Sequence, residues 1–306
     1  MYDSVNFWMS GVDVSGGNPF EVLPHLSETT ERQNEKHGYS CSGKVAGYDV
    51  CVYQWGMYLN GSLAKSYFNG DNSATLTRRA TQNAVEQLSD LLHTDMRQAK
   101  VIRVDVSTVI PTRRPPSDYY GYLGMKPHFT RVQATDNTLY YNNHQRQIVF
   151  YDKAKEAKNI PELLQNNNLF RYELRFLRRI KSQLKADVTA QTLYDELFYQ
   201  SIVQRWYNEF KSIQKIKEHN FMTENITTVK DAESALFAYA LQQLGQSTID
   251  VYLNELKAKK TFKDPKYYSR LKTGLNKIIV SRRSGQKSEL MTELENDIWN
   301  VAKYAR

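Results

Sequence analysis

The apolar residues of this chain change their spacing once along its length, and that change limits the folds open to it. Up to about residue 180 they fall in short runs with a period of two or rich in β-formers; from Thr189 onward they recur at helical spacing. The first set of runs is Ser4–Val14, Tyr39–Val45, Tyr48–Trp55 and Ala64–Phe68, broken by Gly-Gly, Ala-Gly and Asn-Gly turn signals. Leu76–Met96 interrupts them with Ala80, Ala84, Leu88, Leu91 and Leu92 at the spacing of an amphipathic helix. A second set follows: Val101–Val109, Tyr119–Leu123, His128–Ala134, Thr138–Tyr141, Ile148–Lys153 and Phe170–Leu177. Beyond these, Leu193, Leu197, Ile202, Trp206, Phe210 and Ile213 predict one long helix, and Gly245, Pro265, Gly274 and Gly285 punctuate what comes after it. The expected class is α+β, with a sheet-rich domain over residues 1–180 and an all-helical module over 181–306. The text Gly-Val-Asp-Val-Ser at 11–15 returns as Arg-Val-Asp-Val-Ser at 103–107, which suggests two related halves in one sheet system.

With 306 residues, 41% of them hydrophobic and 24% charged, the chain can bury a substantial core, which excludes a wholly disordered or a fibrous protein. Cys41 and Cys51 are its two cysteines, and they lie in strand-like text where small buried thiols are expected. No Cys/His zinc pattern, leader or long apolar run is visible, so a reducing, cytoplasmic compartment without membrane contact is expected.

The formal net charge of +8 is unevenly placed. Residues 1–150 hold 14 basic and 14 acidic side chains, leaving 27 of the 41 basic and 19 of the 33 acidic residues to the second half. Lys257, Lys259, Lys260, Lys263, Lys266, Arg270, Lys272, Lys277, Arg282, Arg283 and Lys287 cluster against Asp264 alone. Such a surface suits phosphates, whose neutralisation releases counterions. Helices at Ser247–Leu256 and Tyr267–Ile278 around the basic Lys257–Lys266 connector would form a helix-turn-helix-like pair for duplex DNA. The 21 tyrosines, roughly twice an ordinary share, point the same way.

Three strand-like segments carry ionisable groups. Alternation puts Arg103, Asp105 and Ser107 on one face of their strand and Arg171, Glu173 and Arg175 on one face of another. Either strand alone reads as the wet side of an antiparallel sheet. Between them, Ile148-Val-Phe-Tyr151-Asp152-Lys153-Ala-Lys-Glu156 runs from a strand into a short helix, where Asp152 has the chemistry of a cap.

In this order, Arg103-Val-Asp105, Thr138-Leu-Tyr140-Tyr141, the Tyr151–Glu156 segment and Phe170-Arg171-Tyr-Glu173-Leu-Arg175 resemble the rolling-circle replication initiators of plasmids and filamentous phages. The likeness is nearest to the gene II and X type, with kinship to the Rep_trans initiators, and covers about residues 1–220. It implies a nicking-and-joining enzyme: a tyrosine hydroxyl cuts one strand of origin DNA, holds the 5′ phosphate covalently and leaves a 3′ hydroxyl primer. Tyr151 matches the nucleophile position, with Tyr140 and Tyr141 as alternatives; Lys153 and Arg171 match the residues that hold the phosphate, with Arg103 and Arg175 in support. Asp105, Glu173 and Glu156 are the expected carboxylates for Mg²⁺ or Mn²⁺. The expected partners are double-stranded origin DNA, locally single-stranded DNA, a host helicase and polymerase, and a second copy of the chain. None of the six histidines forms the His-x-His pair that relatives of another class use for their metal.

Two other readings compete. His128-Phe-Thr-Arg131 has the His-x-x-Arg spacing of tyrosine recombinases, whose catalytic domain is largely helical. A non-catalytic DNA-binding regulator would use the helical module alone.

Overall fold

A computed structural model describes residues 1–34, 38–156, 167–216, 226–281 and 288–305. Ten strands form one antiparallel sheet: β1 (Tyr2–Ser10), β2 (Ser27–Asn34), β3 (Gly38–Val45), β4 (Tyr48–Tyr53), β5 (Gly56–Asn60), β6 (Lys100–Thr112), β7 (Thr130–Thr135), β8 (Thr138–Asn142), β9 (Arg146–Asp152) and β10 (Asn168–Phe176). Their spatial order is β2-β3-β4-β5-β1-β6-β10-β9-β8-β7. Each half therefore has the same plan: a lead strand, β1 or β6, followed by a four-strand meander whose last member returns to pair with it. The lead strands join the halves, with Val5 opposite Val104 and Asn6 opposite Arg103.

The repeated pentapeptide does not mark equivalent places in the two halves. Its second copy lies in β6, whereas the first lies in the 3-10 turns that follow β1. The duplication is one of topology.

Between the edge strands β2 and β7, one sheet face is apolar. Val5, Phe7, Met9, Val50, Val52, Leu59, Val104, Val106, Phe150, Tyr172 and Leu174 are buried there in a single core. Helices pack over it. The helix α2 (Arg78–Leu92) is capped by Thr77 and stops at His93 in the left-handed region, inside the longer span that periodicity predicts. Across the second half lies α6 (Glu196–Lys211), whose Trp206 stacks on Tyr172 with ring centroids 4.5 Å apart. Two expected strands are short helices instead. At α1 (Leu63–Tyr67) the Ser62 hydroxyl accepts the Lys65 amide, and α3 (Pro116–Tyr120) starts on a proline, which is preorganised for a first helical turn. Two strands, β2 and β5, went unread; β2 is a polar, exposed edge strand with no apolar alternation to betray it. Two more short helices, α4 (Lys153–Glu156) and α5 (Ile180–Leu184), follow β9 and β10.

Beyond α6 come α7 (Val229–Ala258), α8 (Lys266–Ser281) and α9 (Glu289–Tyr304). The chain forms two compact units, Met1–Lys215 with Leu290–Arg306, and Ile216–Glu289. The expected division at 180/181 is not where they part, because α6 and α9 bury Ile202, Trp206, Phe210, Met291, Leu294 and Ile298 in the sheet's own core. Glu293 of α9 also accepts the Arg113 amide at 3.0 Å and the Tyr119 hydroxyl at 3.0 Å. The second unit has its own small core of Leu241, Ile249, Leu253 and Leu275. Among the described residues, no helix is long and apolar enough to cross a membrane.

Candidate active site

Pairing register decides what meets on the face opposite the core. Glu173 of β10 stands opposite Ser107 of β6, and Arg175 opposite Asp105. On the other side of β10, Arg171 stands opposite Tyr151 of β9. The polar sets of β6 and β10, read separately in the sequence, are thus one cluster, with the expected nucleophile at its edge.

The cluster is buried rather than wet. Arg171 is 1% exposed, Asp105 2%, Glu173 3% and Asp3 5%. Arg171 donates from Nε to Glu173 Oε1 at 2.8 Å, from Nη1 to the Asn72 carbonyl at 2.6 Å, and from Nη2 to Asp3 at 2.5 Å and to Ser107 Oγ at 2.8 Å. Glu173 also accepts from Arg175, whose Nη2 lies 2.6 Å away, and from the Tyr151 hydroxyl at 2.8 Å. Arg175 Nε lies 3.8 Å from Asp105, which Arg103 grips at 2.7 and 3.1 Å. Lys153 opens α4, donates to Asn72 Oδ1 at 2.8 Å and pairs with Glu156. As the sequence suggested, Asp152 caps this turn, accepting the Ala154 amide at 3.0 Å. Pairing explains how the buried charges are tolerated: Arg103, Arg171 and Arg175 face Asp3, Asp105 and Glu173, and buried Lys153 faces the exposed Glu156.

These neighbours set the proton affinities. Burial raises the Asp105 carboxyl to about 6, against the pull of Arg103 and Arg175. Burial would raise Glu173 too, but the Arg171 and Arg175 charges outweigh it and hold that carboxyl at about 2. Burial pushes the Tyr151 hydroxyl far above the ordinary tyrosine value, with Arg171 opposing the effect and Glu173 adding to it.

Sequence reading missed Asp3 and Asn72. The Asn72 amide nitrogen lies 3.3 Å from both Asp3 oxygens, so this residue links β1, Arg171 and Lys153. The available signal was an Asp in the first strand, flanked by residues that all become buried or half-buried. Asn72 lies between α1 and α2, where no periodicity singles it out.

The alternative tyrosines separate by position. Tyr141 is fully buried and donates to the Gly124 carbonyl at 2.7 Å, whereas Tyr140 stands one strand out from β9, opposite Val149. Arg131 is spent on the Leu123 and Tyr120 carbonyls, each at 2.9 Å, and its domain is a sheet, so the recombinase reading fails on fold and on site. Cys41 is buried as expected, but Cys51 is only half-buried.

The three carboxylates expected to hold a divalent cation do not converge. Among the described residues no three carboxylate, histidine or cysteine side chains stand together as a metal-binding group. The reason is visible in the pairing: Glu156 is held by Lys153, and Asp105 and Glu173 are held by arginines. Arg282 and Arg283, expected to bind DNA, lie outside the described residues, as does Lys287, and the Lys277 side chain is likewise not described. Lys257, Lys259, Lys260 and Lys263 are exposed. Lys266 pairs with Asp264, Lys272 with Asp250 of α7, and Arg270 lies over the Tyr267 ring.

A ten-stranded sheet in two topologically matched halves, with a tyrosine held against a carboxylate on its polar face, is here the framework of a replication-associated protein. Residues 1–209, which take in the whole sheet and most of α6, match the phage family defined by the N-terminal region of the replication-associated gene II protein, and the chain belongs to that family. This agrees with the resemblance to phage rolling-circle initiators. No curated protein matches the chain.

Proposed function

We propose that this initiator nicks one strand of its origin with Tyr151 as nucleophile and reseals it at termination. The observation that carries the reading is the 2.8 Å hydrogen bond from the Tyr151 hydroxyl to Glu173 at the edge of a cluster of arginines. Attack by the tyrosine oxygen forms a bond to phosphorus and breaks the bond to the 3′ oxygen; the hydroxyl proton passes to Glu173 and the departing oxygen is protonated in turn. One phosphodiester replaces another, so the step is reversible.

At rest the site is self-neutralised, and Glu173 is a weak base because arginines hold it ionised. A scissile phosphate competes for those arginines. Arg103 and Arg175 are the ones within its reach, with side chains 33% and 25% exposed. As they turn to the phosphate, Glu173 gains basicity at the moment the tyrosine proton must leave. Arg171 and Lys153 are enclosed by acceptors, so both act as positioning residues rather than as the phosphate grip that the resemblance implies. The carboxylates as paired do not fit a divalent cation; the Mg²⁺ or Mn²⁺ requirement therefore rests on the resemblance, and nicking in EDTA tests it.

The basic residues Lys257, Lys259, Lys260 and Lys263 of the second unit lie at and just after the end of α7 and suit duplex phosphates, with α7 and α8 as the helix pair. The helicase, polymerase and homodimer expectations belong to the same proposal and rest on the family. The deciding experiment incubates the protein with supercoiled phage origin DNA and Mg²⁺ and looks for a nicked circle with protein on its 5′ end. Mass spectrometry of the adduct peptide should name Tyr151. An adduct on another tyrosine removes the mechanism, and no adduct on any phage origin favours the regulator.

A further inference from the structure

We propose that the outer face of the first half-sheet, built from Trp8, Tyr53, Trp55 and Tyr58, is a stacking platform for the single-stranded DNA that leads into the Tyr151 cluster; this rests on the nicking reading above. Register makes the face continuous with the site. Asn6 stands opposite Arg103 and Trp8 opposite Lys100, so β1 and β6 place aromatic and cationic side chains side by side. Tyr58 stands opposite Trp8, and Tyr58 is in turn opposite Cys51. Tyr53 is opposite Gly56 on one side and Ser40 on the other, and Ser40 is opposite Arg32. The result is a band of aromatics with Arg32 at one end and Lys100 and Arg103 at the other.

The aromatics are held open. The residues alternating with them, Phe7, Met9, Val52, Met57 and Leu59, fill the core, whereas Trp8, Tyr53 and Tyr58 are half-buried and Trp55 is 49% exposed. Tyr53 and Trp55 stack with centroids 5.4 Å apart at 11°. A Cβ on Gly56 would lie 2.3 Å from the Met9 carbonyl oxygen and 2.8 Å from Trp8 Cζ2, so the glycine admits both the neighbouring strand and the indole. Asn6 donates to the Tyr58 hydroxyl at 2.8 Å, fixing that ring beside Arg103. An outward sheet face ordinarily carries polar side chains. Rings there, bordered by cations, match what an unpaired strand offers: bases to stack and phosphates to neutralise. Duplex DNA hides its base faces and has no use for the rings.

The test uses the full chain in a Tyr151→Phe background, so that no covalent adduct adds to binding, and follows a fluorescein-labelled oligo(dT) by anisotropy at fixed salt. Trp55→Ala, with its urea midpoint measured alongside, should weaken binding by about 5- to 150-fold, the range for one lost base stack, and Trp55→Phe should recover most of it. Ultraviolet crosslinks from 5-bromouracil oligonucleotides should map to Trp8, Tyr53, Trp55 or Tyr58. Unchanged binding in Trp55→Ala and Trp8→Ala, crosslinks elsewhere, or a loss confined to duplex binding would overturn the platform. The 5′ adduct assay on the parent chain separates the two readings. An adduct with normal oligonucleotide binding in the variants sinks the platform alone; no adduct, with binding lost in Trp55→Ala, leaves the platform standing and removes the nicking.

Discussion

The two half-sheets share a strand plan and differ in what their outward faces carry. On β6, β9 and β10 that face holds Arg103, Asp105, Tyr151, Arg171, Glu173 and Arg175, closed into a paired cluster. On β1, β4 and β5 it holds Asn6, Trp8, Tyr53 and Tyr58, with no buried ion pair among these four, although β1 also sends Asp3 to pair with Arg171 in the charged cluster. Both inward faces are apolar and share one core. The constraint of burial fixes one side of a duplicated sheet, and the other side is free to diverge in chemistry.

The sharpest way to break this comparison is Tyr151→Phe, which deletes one oxygen from the charged half. It should lower formation of the 5′ adduct by at least about a thousandfold, read as loss of the shifted band on a denaturing gel; an adduct of normal yield would show that the charged half is not the reacting one.

Next in size is Arg171→Met. Removing this cation leaves Asp3 and Glu173 buried without their partner, and urea unfolding should show a loss of about 3–5 kcal/mol. A loss below about 1 kcal/mol, the size of an exposed pair, would mean that the cluster is wetter than its burial implies.

Acidity gives two smaller effects of opposite sign. Glu173, held at about 2, contributes stability that is fully present above the unfolded value near pH 4.3 and is lost as pH falls toward 2. Asp105, raised to about 6, does the reverse: between about pH 4 and 6 the folded state binds its proton and the unfolded state does not, so its contribution falls as pH rises. Asp105→Asn should flatten that part of the curve of urea midpoint against pH, and an unaltered slope would contradict the raised value.

The weakest effects belong to the second unit. Each of Lys257, Lys259, Lys260 and Lys263 changed to Gln should reduce the salt dependence of duplex binding by about 0.9 in the log–log slope where it meets a phosphate, and leave oligo(dT) binding in place. Equal loss of both would erase the division of labour between the basic helices and the sheet.

The comparison also explains what could be read from sequence. The polar faces of β6 and β10 were legible because alternation needs only local spacing, and Arg171 and Glu173 came with them; Tyr151 was singled out by the family resemblance. That they meet in one buried cluster was not legible, since it depends on the pairing of Arg171 with Tyr151 and of Arg175 with Asp105 across separate strands. Asp3 was missed for the same reason: its partner Arg171 lies 168 residues away. Helical periodicity found α6 but not its destination, because a helix at Trp206 carries no local sign that it will stack on Tyr172. The metal expectation came with the resemblance; in the structure Asp105, Glu156 and Glu173 are paired with Arg103, Lys153 and Arg175.

The return of α9 to the sheet core has a practical outcome for anyone dissecting this chain. A stop codon after α6 would strip away Met291, Leu294 and Ile298 along with the basic helices, so a simple truncation mixes loss of the proposed DNA-reading unit with an opened core. Conversely, a single proteolytic cut between Ile216 and Glu289 should yield two polypeptides that stay together under native conditions and separate only in denaturant, since the residues joining them are packed inside the fold and owe nothing to the intervening peptide.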